Sequence, residues 1–308
     1  MKKWLRMIMS FLFVGVLFGC SAATTTSQKT ESTNGKKTVY TTFYPVYDLT
    51  KRIVGDKMNV SLIIEGNQEA HDFELQPSQM AKIQSADLVV YNGANMETFI
   101  DDLKEKVKDE SKFLDLSQGL TLLSSGDGVT NDKVSVNPHT WLSVKNAMTQ
   151  LRTIYEKAVA LDVDNKAYYE ANLKTALEQF KALDEMFEKE LAHVPVDKRY
   201  FVVSHAAFNY LAYDYQLKQV AVTGISPDEE PSAQQLKTIA DFVKQHGITT
   251  IFFEGKATPK VAETLAKNTN TKTSTLYTME SLSKEEMDKG YLELMRHNLK
   301  ALVESFNE

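Results

Sequence analysis

The sequence predicts an α/β protein made of two βα lobes, each on a parallel four-stranded sheet, joined by one long helix. Short β-rich runs alternate with helical segments from residue 38 to 117 and again from 199 to 306. Alternation of this kind implies parallel sheets. The strand runs show little polar alternation, as strands buried on both faces do. Between the two stretches lies an apolar stripe at Tyr169, Leu173, Leu177, Phe180, Leu183, Phe187 and Leu191. Its steps of three and four are the period of a helix.

The first lobe, residues 38–163, takes strands from TVYTTF (38–43), NVSLII (59–64), DLVVYN (87–92) and KFLDLS (112–117). Helices are expected at 46–55, 77–86, 96–109 and 144–161, with a polar loop at 118–136. The connecting helix spans 164–193, with Asp164 as its cap and Pro195 beyond its end. At ~1.5 Å per residue it is a rod of ~45 Å. The second lobe, 194–308, takes strands from RYFVVS (199–204), QVAVTG (219–224), ITTIFFEG (248–255) and TSTLYT (273–278). Helices are expected at 207–216, 232–246, 258–269 and 285–306. The two lobes share no clear sequence repeat.

Composition narrows the function. The chain has 308 residues, 43% hydrophobic and 25% charged, with a formal charge of −6. Such a mix is globular rather than disordered, and the sign argues against nucleic acid as a partner. A single Cys excludes a disulfide framework and cysteine-based metal clusters. Residues 1–37 carry six Lys/Arg against one Glu, whereas the rest carries 29 basic against 40 acidic groups.

That basic start is an address. Lys2, Lys3 and Arg6 precede an apolar run from Met7 to Phe18 that ends in Leu17-Phe18-Gly19-Cys20. Basic, then apolar, then small is the order of a secretory signal (residues 1–19). The run is shorter than the ~20 residues a spanning helix needs. Its end resembles a bacterial lipobox, which implies that Cys20 is lipidated and becomes the new N-terminus. The polar stretch 20–37 is then a flexible tether. The expected location is the outer face of the cell membrane, held by lipid.

Six histidines remain to be placed. His193, His246 and His297 lie in or at the ends of helices and read as surface or cap residues. His71 follows NVSLII through a short loop, and His205 directly follows RYFVVS. His139 lies in Asn137-Pro138-His139-Thr140-Trp141, where Pro138 fixes the backbone before it. Ligands of open parallel sheets bind beyond the carboxyl ends of strands, so these three converge. Carboxylates at the same edge are Glu280, Glu254, Glu69, Asp72 and Glu74. Three imidazoles and one carboxylate suit Zn²⁺, and a second carboxylate would favour a harder ion such as Mn²⁺.

The blocks TTFYPVYDLTKRIVGD, EAHDFELQPSQMAKIQSADLVVYNGANMETFI, NPHTWLS, SHAAFNYLAYDY and GISPDEEPSAQQL resemble the zinc and manganese solute-binding lipoproteins of ABC transporters. The resemblance runs from residue 38 through nearly the whole remaining chain. It implies a rigid connecting helix, a metal site in the cleft between the lobes, and opening by local loop movement. Carried over, the ligands are His71, His139, His205 and Glu280. His205 stands where manganese-type members have Glu, and LYTMESL favours Glu280 over Glu254. The implied role is capture of Zn²⁺ by a monomer that delivers it to an ABC permease, with no enzymatic step.

Four departures mark this chain. Residues 118–136 contain no His, where many zinc-type members have a His-rich loop. Pro77 comes later after His71 than the family pattern places it. Asn137 stands where Asp is common, which predicts a weaker hold on His139. The chain ends near the last helix, with no added zinc-binding domain expected. The competing readings are manganese or iron uptake, a surface zinc hydrolase with Glu254 or Glu280 as base, and an adhesin.

Overall fold

The structure is a computed structural model and describes residues 35–125, 135–254 and 259–308, the side chains of 259 and 260 excepted. Cys20, the signal 1–19 and the tether up to residue 34 lie outside the described residues. Lys36–Glu308 form one compact unit.

The first sheet contains β1 (Thr38–Thr41), β2 (Asn59–Leu62), β3 (Leu88–Tyr91) and β4 (Phe113–Asp115) in the order β2-β1-β3-β4. Every pairing is parallel, with Val39 opposite Val60 on one side and Leu88 on the other. The second sheet contains β5 (Tyr200–Val203), β6 (Lys218–Ala221), β7 (Thr250–Phe253) and β8 (Lys272–Thr275) in the order β6-β5-β7-β8. It is parallel throughout. The two sheets therefore share one topology despite their unrelated sequences. In each, successive connections leave the first strand in opposite directions. The crevice between the first and third strands is where such sheets bind ligands.

The helices are α1 (Tyr44–Val54), α2 (Pro77–Gln84), α3 (Ile100–Val107), α4 (Val144–Leu161), α5 (Lys166–Ala192), α6 (Asn209–Tyr215), α7 (Ala233–His246), α8 (Pro259–Thr269), α9 (Lys284–Lys289) and α10 (Tyr291–Phe306). Three differences from the sequence expectation bear on the architecture. Helix α3 starts at Ile100 instead of 96, because Ala94 and Asn95 are left-handed (φ 52° and 65°) and turn the chain first. Helix α5 starts at Lys166 with Asn165 as its cap, so it has 27 residues and is about 40 Å long. The single helix expected over 285–306 is broken at Gly290, whose φ of +85° suits a residue without a Cβ. Ser283 caps the short piece with its side chain on the Glu286 backbone.

Helix α5 is docked along its length. Tyr169, Phe180, Leu183, Phe187 and Leu191 of the predicted stripe are buried, Leu173 and Leu177 are only partly covered, and Ala176, outside that stripe, is buried as well. Phe180 stacks on Tyr291 of α10 at 5.1 Å, and Phe187 on Tyr215 of α6 at 4.7 Å. One apolar core runs from Val39 in β1 through α5 to Leu302 in α10. A smaller core lies between the second sheet and helices α7 and α8. A core shared across both sheets opposes wide hinge motion.

Candidate metal centre

The site lies at the carboxyl edges of both sheets. His205 follows β5 and Glu254 follows β7, the two strands that flank the crevice of the second sheet. On the first sheet, Asn92 follows β3. Its amide donates to Pro138 O at 2.8 Å and its carbonyl oxygen accepts from Thr140 Oγ1 at 2.7 Å. Asn92 thus grips the chain on both sides of His139. Beneath it, buried Glu97 accepts from Thr42 Oγ1 and from the backbone of Asn92 and Gly93. His71 comes on the loop after β2, where Glu69 Oε1 accepts from the backbone of Ala70 and His71.

Glu280 arrives from a turn after β8. Met279 before it is left-handed (φ +67°) although it is not glycine, and it is 1% exposed. A strained backbone of this kind persists only where its surroundings fix it. The same turn presses on the His71 loop. Leu282 N donates to Gly66 O, and a Cβ on Gly66 would lie 2.7 Å from Leu282 O.

The donor atoms of His71, His139, His205 and Glu280 all lie within 4.8 Å of one another. His139 Nε2 is 3.2 Å from Nε2 of both His71 and His205. A tetrahedron around zinc with Zn–N of 2.0–2.1 Å has edges of about 3.3 Å. Glu280 Oε1 is 3.3 Å from His71 Nε2 and 2.7 Å from His139 Nε2. That oxygen is buried with no hydrogen-bond partner of acceptable geometry. Donor atoms that converge this closely in a buried site fit a shared cation.

The ring orientations are fixed from behind. Asn137 Oδ1 accepts from the His139 backbone at 3.0 Å, and its Nδ2 donates to Ala206 O at 2.6 Å. These two backbone partners leave the amide one orientation. His139 Nδ1, 2.8 Å from Oδ1, must therefore carry the proton, and Nε2 presents its lone pair to the cluster. His205 Nδ1 lies 2.8 Å from Glu254 Oε2, which fixes that ring in the same way. Glu254 is thus on the far nitrogen of His205 and outside the four-residue cluster.

Electrostatics separate the two rings. Burial pushes His139 down to about 4 against the pull of Glu280. His205 is equally buried, but the charges of Glu254 and Glu280 overcome that and raise it well above 6.5. For Glu280 the desolvation is outweighed by His139 and His205, which hold its carboxyl well below the usual range. Burial and the nearby Glu280 charge push Glu69 up.

The remaining histidines lie elsewhere. His246 ends α7 and packs on Phe242 and Tyr200 at 4.1 and 4.6 Å. His193 follows α5, and His297 on α10 approaches Thr275 O at the end of β8. Asp72 and Glu74 do not join the cluster. Sequence reasoning missed Asn92 and Glu97. Their signal was a polar residue directly after the apolar run LVVY and a carboxylate in the turn beyond it.

Comparison with known proteins settles the family. The family model described as zinc-uptake complex component A, periplasmic (ZnuA) matches residues 39–305. The chain belongs to the ZnuA family. It is 38% identical over 319 residues to the high-affinity zinc uptake system protein ZnuA of Bacillus subtilis, covering 99% of this chain and 98% of that protein. It is 37% identical to the zinc-binding lipoprotein AdcA of Streptococcus pneumoniae, of which it spans 62% of the length. Among solved structures, the Zn(II)-bound ZnuA-like domain of that AdcA superposes with a TM-score of 0.77 at 38% identity, over 89% of this chain and all of that one. The laminin-binding protein Lmb of Streptococcus agalactiae, described as a bifunctional adhesin and metal transporter, gives 0.78 at 35% identity, over 88% and 99%. Among the described residues of this ZnuA family member, no helix is long and apolar enough to cross a membrane.

Proposed function

We propose that this protein captures Zn²⁺ outside the cytoplasmic membrane through His71, His139, His205 and Glu280 and hands it to an ABC permease. The observation that carries the reading is the cluster of four buried donor groups whose ligand atoms all lie within 4.8 Å of one another. Borderline-soft imidazoles in a three-to-one majority suit zinc. Four protein ligands leave the metal no open position, so the reading includes no bond-making step. Manganese or iron uptake would want a harder donor set, and Glu254 bonds the outer nitrogen of His205 instead of supplying a second carboxylate.

The same reading assigns residues 38–163 and 194–308 to two lobes that each bring two ligands, with 164–193 as the rod between them. Support comes from the shared apolar core, which favours loop movement over lobe closure as the way in. Cys20 carries the lipid anchor, residues 20–37 are the tether, and the protein works as a monomer. A matrix-binding role, as in the description of the S. agalactiae relative, is separable: adhesion that survives loss of all four ligands would establish it.

The deciding experiment is metal content by mass spectrometry on purified protein. One zinc per chain in the wild type and none in His205→Ala is the expected result. Unchanged zinc in the variant overturns the assignment.

A further inference from the structure

The geometry points to Asn137 as an interlobe positioning residue: one end of its side-chain amide orients His139, the other ties down the backbone beside His205, and together they set how long bound zinc stays. This rests on the zinc reading above and adds to it a residue that touches no metal.

Every hydrogen-bonding group of Asn137 is used. Its backbone N–H donates to Leu123 O at 2.8 Å, and its carbonyl accepts from Tyr210 Oη at 2.8 Å. Tyr210 Oη in turn accepts from Leu123 N at 3.1 Å. The side-chain oxygen takes the backbone N–H and the Nδ1 proton of His139. The side-chain nitrogen donates to Ala206 O at 2.6 Å. Asn137 itself is fully buried. One residue therefore joins the loop after β4, a ligand of the first lobe, helix α6, and the chain beside a ligand of the second lobe.

The chemistry requires an amide. His139 needs an acceptor and Ala206 O needs a donor, and only a group with both serves them at once. An aspartate keeps the acceptor but sets a carboxylate oxygen against the Ala206 carbonyl, two acceptors in a site that water does not reach. The expectation that Asn holds His139 less firmly than Asp counted only the bond to the ring. The second bond, across to Ala206, is one that an ionised aspartate cannot make.

The contrast with Asp makes the idea testable. By acceptor strength alone, Asp is the better partner for His139 and would slow zinc release. By the latch, Asp breaks the tie to Ala206 and quickens it. Zinc dissociation is measured by transfer to a chromogenic chelator in excess, on zinc-loaded wild type, Asn137→Asp and Asn137→Ser. The expected result is release at least tenfold faster in both variants, in line with the 10–100-fold typical of lost outer partners. Imidazole ¹⁵N spectra give a second readout that a loss of general stability would not move. Zinc-loaded wild type should show an exchange-protected Nδ1–H on His139, retained in Asn137→Asp.

Slower or unchanged release in Asn137→Asp overturns the inference. So does a wild-type His139 without a protected Nδ1–H, a measurement that needs no variant to fold. A wild type that binds no zinc defeats the function proposed above instead. A wild type that binds zinc, with variants that release it at the wild-type rate, defeats only the role of Asn137.

Discussion

His205 and Glu254 form a buried pair, Nδ1 to Oε2 at 2.8 Å, that leaves the other ring nitrogen facing His139 and Glu280. Two carboxylates therefore bear on one imidazole and hold a proton on it well above pH 6.5. A raised imidazole contributes stability that is fully present below its ordinary value and is lost as pH rises through the raised one. Zinc needs the Nε2 lone pair, so binding expels that proton. We expect proton release on zinc binding at pH 7, seen as a calorimetric enthalpy that varies with the ionisation enthalpy of the buffer. Glu254→Gln should release fewer protons and bind zinc 10–100-fold more weakly. An enthalpy independent of buffer would contradict this.

Trp141 reports on the site. Its ring lies 5.3 Å from that of His139, and its Nε1 donates to Thr278 O at 2.7 Å, two residues before Glu280. The ring also meets Phe43 edge-on at 4.8 Å. The sequence has only one other tryptophan, Trp4, within the expected signal segment. Intrinsic fluorescence of protein lacking residues 1–19 should therefore change on zinc addition, saturating at one equivalent. In Trp141→Phe the signal disappears while zinc is still bound. A zinc-dependent change that persists in that variant would refute the prediction.

Much of this was legible in advance, and for definite reasons. Each of the eight expected runs overlaps a strand, although β8 covers only the polar start of the run at 273–278, and the sheet edge gathered His71, His139 and His205 because strand ends are visible in sequence. Choosing Glu280 over Glu254 took the family resemblance, because both follow strands. Only the three-dimensional register shows that one faces the cluster and the other backs His205. Asn92 and Glu97 were not found, since polar residues that brace a loop leave no periodic trace. The sequence pattern runs through Gly290 as helix because the apolar stripe resumes beyond it.

Glu97 gives the zinc-free protein a pH dependence of its own. Burial pushes its carboxyl up to about 7, against the opposing effect of the Thr42, Asn92 and Gly93 donors. The folded state then holds more protons than the unfolded one between pH 4.5 and 7. Stability from this group is greatest below the ordinary carboxyl range and falls as pH rises through about 7. Urea denaturation of zinc-free wild type and Glu97→Gln at pH 5, 6, 7 and 8 isolates it. The stability of wild type relative to Glu97→Gln should fall as pH rises, by on the order of 2–3 kcal/mol. A relative stability of wild type that is constant or rises with pH would refute it.

Arg199 is the strongest test of how α5 is fixed to the second lobe. It is 9% exposed, and no ion pair is formed to its guanidinium among the described residues. Its donors go instead to Leu191 O at 2.7 Å, Val194 O at 3.0 Å and Tyr215 O at 3.0 Å. The first two carbonyls close the end of α5, and the third closes α6. A cation at two helix ends is favourable toward both dipoles, and it adds a charged donor at Leu191 O, which also accepts from Val194 N at 3.1 Å, and at the carbonyls of Val194 and Tyr215. Arg199→Met keeps the aliphatic bulk and takes the guanidinium donors from all three carbonyls, leaving Leu191 O with only its backbone partner, so it should cost about 2–4 kcal/mol. Arg199→Lys should recover only part, because a single ammonium cannot span the three positions. Chemical denaturation of zinc-loaded protein measures the loss. The fraction that remains folded should still bind one zinc, since Arg199 belongs to the join between α5, α6 and β5 and is not part of the cluster of His71, His139, His205 and Glu280. Destabilisation below about 0.5 kcal/mol in Arg199→Met would show that the end of α5 is held by its apolar stripe alone.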